Sequence, residues 1–320
     1  MKLDIKLTDS VEVYNCFDGL VVSTAEWKKR DYRLAHAEAW DFSVKYEIRE
    51  NPPVIFSHLV NPRTLAFDLL ESCSGISLSP TKFDSNVENF LVMLKKELSQ
   101  QRPIIISLDY YWCPWNKDVG IPFHNPHHTT LVIGFDELGL ICLDYSPRCN
   151  NCVLPYEYIN RIDEYLTMNF EEPNLNYCSS IITRGIQLIN DHDIFNKMRK
   201  FGEHIQESFS TAIGLECVEN SAYIPKIWNL KLIAESRCLY ANTLRIIGKK
   251  NNIEPLLIIA EELESTKPMW LVIRSLFAKI YVSKDLNLIK RIAEKIYEIA
   301  DYEESIYKSY VMVMKNFVVS

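Results

Sequence analysis

Glycine is scarce in this sequence, 9 residues in 320, and low-complexity tracts are absent. Both shortages argue against a disordered or linker-rich chain. No stretch approaches the roughly 18 uninterrupted apolar residues of a membrane span. The first ten residues, MKLDIKLTDS, also lack the apolar centre of a signal peptide. The expectation is a soluble, cytoplasmic protein with no membrane partner. A basic footprint for nucleic acid is missing as well, since the formal net charge is −7. That charge is uneven: residues 1–165 hold 16 Lys/Arg against 23 Asp/Glu, and the rest holds 19 of each. An acidic first half favours a cationic small molecule over a polyanion.

The nine cysteines are odd in number and scattered through both halves. Without a signal peptide, they predict reduced thiols rather than a disulfide framework. For zinc, Cys149-x-x-Cys152 has no second pair at regular spacing, although Cys113, Cys142 and the HNPHH run at 124–128 offer further ligands. No metal is expected.

Apolar material is plentiful: 48% of residues are hydrophobic and 12% aromatic. A chain of 320 residues is long enough for one large domain or two ordinary ones. Apolar spacing predicts a helix from about Cys16, with Phe17, Leu20, Val21 and Ala25 on one side, and further helices near 63–73, 86–100 and 156–166. PIIISLDYYW, from Pro103, reads as a buried strand. The segments 129–135 and 140–145 read as a hairpin joined by DELG, and 178–189 as one more strand. Beyond about 190 apolar residues recur at three and four, with Pro255 and Pro268 where helices could begin. The division predicted is therefore an α+β domain over 1–189 and an all-α helical bundle over 190–320.

Three residues in the first half carry chemistry together. Cys16, in the first turn of its helix, lies at the positive end of the helix dipole, where a thiolate is stabilised. His128 opens the first hairpin strand, and Asp144 closes the second. A histidine there can take the thiol proton while the aspartate accepts the other ring N–H. His127 and His128 point to opposite faces if both are in the strand, so at most one of them does this. Asp136 reads as a turn residue.

The order Cys16, then His128-Thr-Thr-Leu-Val-Ile-Gly134-Phe-Asp, then Leu-Asp144-Tyr-Ser-Pro resembles the papain-like cysteine-peptidase superfamily. Within it, VIGFD (132–136) is similar to the signature of the BtrH N-terminal family of butirosin biosynthesis; the likeness covers about residues 10–150. The resemblance implies a papain-like domain, with an N-terminal helix bearing Cys and an antiparallel sheet bearing His and Asp. It implies Cys16 as nucleophile, His128 as general base (His127 second) and Asp144 as its orienter. It further implies transfer of an acyl group from the phosphopantetheine arm of an acyl (peptidyl) carrier protein, through acyl-S-Cys, to a small-molecule amine such as a diamine or amino sugar. No bound cofactor is implied. The amide-forming enzyme of closthioamide assembly belongs to the same logic.

One departure bears on the reaction. Related bacteriocin-processing peptidases place a glutamine about six residues before the cysteine, and here Ser10 stands there. Asn15, Ser10 and Tyr14 are the side-chain oxyanion candidates beside the Cys16 N–H. Losing a strong donor costs roughly 3–4 kcal/mol of transition-state stabilisation, a loss a thioester tolerates better than a peptide bond. Tyr110, Tyr111, Trp112 and Trp115 are candidate walls for an extended acyl chain, Asp109 a candidate for the amine's charge, and His127 a further substrate contact. A cysteine peptidase and a non-catalytic helical interaction protein are the competing readings.

Overall fold

The computed structural model describes residues 1–9, 15–44, 64–119, 124–126, 128–173, 178–209 and 223–318. It is an α+β structure with one six-stranded antiparallel sheet. The chain falls into two compact units: Met1–Tyr32 with Phe67–Leu175, and Arg33–Ala66 with Asn176–Ser320. The boundary predicted at 189 and 190 thus differs in two ways. The sheet unit ends near 175, and a segment from the first third of the chain groups with the helices.

In the sheet unit the elements are α1 (Cys16–Trp27), α2 (Phe67–Ser74), β1 (Ile76–Lys82), α3 (Val87–Ser99), β2 (Ile104–Leu108), β3 (His128–Phe135), β4 (Gly139–Asp144), β5 (Cys149–Pro155) and β6 (Ile162–Phe170). The sheet order is β1-β6-β2-β3-β4-β5. β3 is buried from His128 through Gly134, as a strand covered on both faces must be, which explains its unbroken apolar run. α1 packs on β3 and β4 and is buried continuously from Asp18 to Ala25, so it is an internal helix rather than an amphipathic surface one. Gly134 has a packing reason: a Cβ there would meet the Met1 carbonyl oxygen at 2.5 Å. The bare backbone lets the N-terminal segment lie alongside, with Lys2 bridged to Gly134.

Two predicted elements are corrected. Residues 156–166 do not form a helix: a 3₁₀ turn, Tyr156–Arg161, leads into β6. In β6 Ile162, Leu166 and Met168 are buried between more exposed neighbours, and the strand is held between β1 and β2. Residues 178–189 are not a strand but belong to α4 (Cys178–Asp191). Ile181, Gly185 and Ile189 are its buried positions, a spacing of four that a helix places on one face.

The helical unit continues with α5 (Ile194–Phe209), α6 (Tyr223–Asn251), α7 (Glu254–Glu264), α8 (Thr266–Ser283) and α9 (Leu288–Val318). Pro255 lies in the first turn of α7 and Pro268 in that of α8, where the missing N–H costs nothing. At its centre Glu303 of α9 accepts from the indoles of Trp40 and Trp270, both at 2.8 Å, and from the Arg237 guanidinium at 2.9 Å. Among the described residues, no helix is long and apolar enough to cross a membrane.

Candidate active site

Asn15 caps the start of α1. Its Oδ1 accepts from the Asp18 N–H at 2.7 Å, and its amide donates to Asp18 Oδ2 at 3.0 Å. This reciprocal pair satisfies an otherwise orphaned helix N–H and sets Cys16 as the first helical residue. The half-buried thiol therefore lies at the positive end of the α1 dipole.

Strand register supplies the other two groups. Leu131 faces Leu143 across the β3–β4 ladder. Asp144 therefore falls opposite Thr130, and His128, two residues along β3, shares its face. His128 Nε2 lies 2.7 Å from Asp144 Oδ2. The same oxygen accepts from the Trp115 indole at 2.6 Å, and Oδ1 accepts from the Ser146 N–H at 3.0 Å. Asp144 is fully buried and His128 nearly so. The Tyr110 ring packs on the imidazole with centroids 4.4 Å apart. Cys16 and His128 are near enough that each shifts the other's protonation. Nε2 is engaged by Asp144, which leaves Nδ1 as the other ring nitrogen.

The electrostatics follow from these partners. Burial alone would push the Cys16 thiol up. His128 and Thr129 beside the sulfur, with the histidine's charge, outweigh it and hold the thiol below its usual range. Burial would lower His128, but its bond to Asp144 and the neighbouring Cys16 sulfur raise it to about 9. Burial pushes Asp18 up to about 8; the negative Cys16 sulfur adds to this, and the Asn15 bond opposes it. These shifts move Cys16 toward the thiolate, His128 toward the imidazolium and Asp18 toward the uncharged acid.

The structure brings together Cys16, His128 and Asp144, with Asn15 at the helix start. Ser10, Tyr14 and His127 lie outside the described residues. Among the aromatic candidates, Trp115 is buried with its indole nitrogen on Asp144, and Tyr110 is buried against His128. Tyr111 is exposed and stacks on His124, with centroids 4.5 Å apart. Trp112 lies under the Arg161 guanidinium, 4.2 Å from its ring centroid. Asp109 is occupied by its own loop: it accepts from the Tyr111 and Asn125 N–H groups and pairs with His124 at 2.7 Å. Burial pushes its carboxyl up, but those bonds together outweigh it and hold the group below the usual range.

One cysteine expectation changes. Cys149 and Cys152 are joined as a disulfide, so these two are not reduced thiols. Cys113, His128 and Asp144 have potential ligand atoms within 4.8 Å of one another. Burial, with the charge of Asp144, pushes the Cys113 thiol far up.

Sequence reasoning overlooked Asp18, Thr129 and the partnership of Trp115 with Asp144. Asp18 had a readable signal: Asn15-x-x-Asp18 has the spacing of a capping box. Thr129 had none beyond adjacency to His128. No protein-family model and no curated protein matches the chain.

Proposed function

We propose that the protein is a papain-like thiol acyltransferase that forms amides from acyl thioesters. The observation that carries this reading is His128, paired at 2.7 Å with buried Asp144 and close enough to Cys16, at a helix N-terminus, that each perturbs the other's protonation. In this reading the Cys16 thiolate attacks the carbonyl carbon of an acyl thioester on a carrier protein's phosphopantetheine arm. The C–S bond to the arm breaks, and protonated His128 returns a proton to the departing thiolate. A small-molecule amine, such as a diamine or amino sugar, then attacks acyl-S-Cys16, giving its proton to His128 as the Cys16 thiolate leaves. The backbone N–H of Cys16, at the helix start, serves the oxyanion.

The likeness of the Cys16, His128–Asp136 and Asp144 segments to the BtrH N-terminal family supports acyl transfer over peptide cleavage, as does the lack of a glutamine donor before Cys16. The test is intact-mass measurement after incubation with acyl-loaded carrier protein. An acyl adduct on wild type that is absent from Cys16→Ala, and that is discharged by an amine, is the expected result. Equal masses in both proteins would remove the reading. Cysteine-dependent cleavage of peptides without transfer would replace it with a peptidase.

A further inference from the structure

Cys113 follows the 3₁₀ turn Tyr110–Trp112 and has no part in the chemistry proposed above. It is buried, as are His128 and Asp144, and the ligating atoms of the three lie within 4.8 Å of one another. Among the described residues, no other three histidine, cysteine or acidic side chains converge in this way. Thiolate, imidazole and carboxylate together suit Zn²⁺, whereas Mg²⁺ and Ca²⁺ take oxygen ligands. We propose that Cys113, His128 and Asp144 form an inhibitory zinc site, which withdraws His128 from Cys16 when it is filled.

The dimensions fit. Zn²⁺ binds sulfur at about 2.3 Å and nitrogen or oxygen at about 2.0–2.2 Å, so adjacent ligands around it stand roughly 3–4 Å apart. His128 Nε2 and Asp144 Oδ2, 2.7 Å apart, part slightly to admit the ion. The Cys113 sulfur closes in by on the order of 1 Å to meet them. The Trp115 indole and the Ser146 N–H already hold the Asp144 carboxylate, as outer partners steady a metal ligand. Binding releases the Cys113 thiol proton and the Nε2 proton to solvent, and bonds to the ion replace the Nε2–Asp144 hydrogen bond. A water completes the tetrahedron. With Nε2 on the metal, the imidazole is neutral and has no lone pair left to accept a proton. That consequence rests on the roles proposed above for Cys16 and His128; the ligand set does not.

Cobalt(II) is the probe, added to the full-length protein with the Cys149–Cys152 disulfide intact. A thiolate on cobalt gives an intense charge-transfer band in the near ultraviolet. One equivalent should produce that band in wild type and in Cys16→Ala, and zinc should abolish it. Cys113→Ser should lack it. A band missing from wild type, surviving in Cys113→Ser or lost in Cys16→Ala overturns the site. Should Cys113→Ser fail to fold, NMR of wild type gives the second reading. Added zinc should move both the Cys113 Cβ resonance and the His128 Nε2 resonance, and the proposal falls if either stays in place. For the inhibitory role, one equivalent of zinc should slow alkylation of Cys16 by iodoacetamide about tenfold at mildly acidic pH, where only a stabilised thiolate reacts. Equal slowing in Cys113→Ser overturns that role, as does none in wild type. The band is read whether or not an acyl adduct forms, so failure of the acyltransferase reading and failure of the zinc site are told apart.

Discussion

The ring of Tyr145 occupies the space where a side chain at Gly19 would stand: a Cβ built there would lie 2.3 Å from it. This contact joins the helix that begins with Cys16 to the residue that follows Asp144. It therefore sets the spacing between Cys16 and the carboxylate that His128 bonds. Gly19→Ala forces either the ring or the helix to move. Overpacking of this kind costs about 1–3 kcal/mol, and the displacement should separate Cys16 from His128. Expected are a lower melting temperature and slower Cys16 alkylation at mildly acidic pH, where only a stabilised thiolate reacts. Unchanged alkylation would mean that Tyr145 yields without moving α1.

Asp144 accepts from His128, Trp115 and the Ser146 backbone together, so its substitutions separate charge from scaffolding. Asp144→Asn keeps the shape and removes the charge that raises His128. The histidine should then titrate well below 9, and the thiolate–imidazolium pair should be populated less at neutral pH. The sign for stability follows from the raised value. In wild type the His128 contribution is complete below its unfolded value of about 6.5 and is lost as pH rises through about 9. Asp144→Asn should therefore lose most stability in acid to neutral solution and least above pH 9. Trp115→Phe keeps the charge but withdraws one donor from a buried oxygen, a cost of about 1–3 kcal/mol. It should lower the melting temperature while leaving a raised His128. Histidine NMR titration and thermal melts distinguish the two.

The centre of the sheet was legible because β2, β3 and β4 are short, strongly apolar and bounded by turn residues. His128 and Asp144 were found from the same pattern, because register on a hairpin is fixed by the period of two. β1 (ISLSPTK) and β6 (IDEYLTMNF) were not: both are half exposed, and charged or polar residues interrupt their alternation. Their pairing is long-range, Ile76 with Phe170, and leaves no local trace. Residues 178–189 misled because ISS-like polar and apolar residues fit either period over so short a run. The aromatic cluster after β2 was noticed as a wall, but its connections depend on tertiary closure: Trp115 reaches Asp144, 29 residues away. Asp18 was passed over as an ordinary first-turn acid, and only its burial reveals its cost.

Cys149 and Cys152 are three residues apart, and in an unbroken strand they would face opposite sides of the sheet. Here Cys142 pairs with Cys152, Leu143 with Asn150 and Asp144 with Cys149. Asn151 is left over as a bulge, with φ at 58°. The extra residue turns both sulfurs to one side, where they join. Native protein prepared without reductant should therefore yield a peptide holding both cysteines that is lighter by two hydrogens and resists alkylation until a dithiol is added. Ready alkylation of both in native protein would contradict the pairing. The same bulge presents Asn150 to the Leu7 N–H and Arg148 to the Thr8 carbonyl. Reduction should therefore speed amide exchange at the Leu7 N–H, the group that Asn150 holds.

Glu303 is a buried charge with four side-chain donors from three partners: the Trp40 and Trp270 indoles and the Nε and Nη2 of Arg237. Arg237 and Glu303 both have no exposed side-chain surface. The third Arg237 nitrogen, Nη1, donates to the Asp41 carbonyl. Such a pair gains little over apolar packing when intact, yet losing one member strands the other in a medium that solvates it poorly. Arg237→Met should cost about 3–5 kcal/mol, because Glu303 keeps its charge with only the indoles to hold it. Glu303→Leu should cost a similar amount, leaving the Arg237 charge uncompensated and its Nε and Nη2 and two indole N–H groups without their acceptor. The double variant should lose much less than the sum, since no isolated charge is left behind. Urea melts of the three variants test this, with the coupling energy as the readout. Additive losses would show that the two side chains act independently, and the helical unit would then owe its stability to the apolar contacts around them.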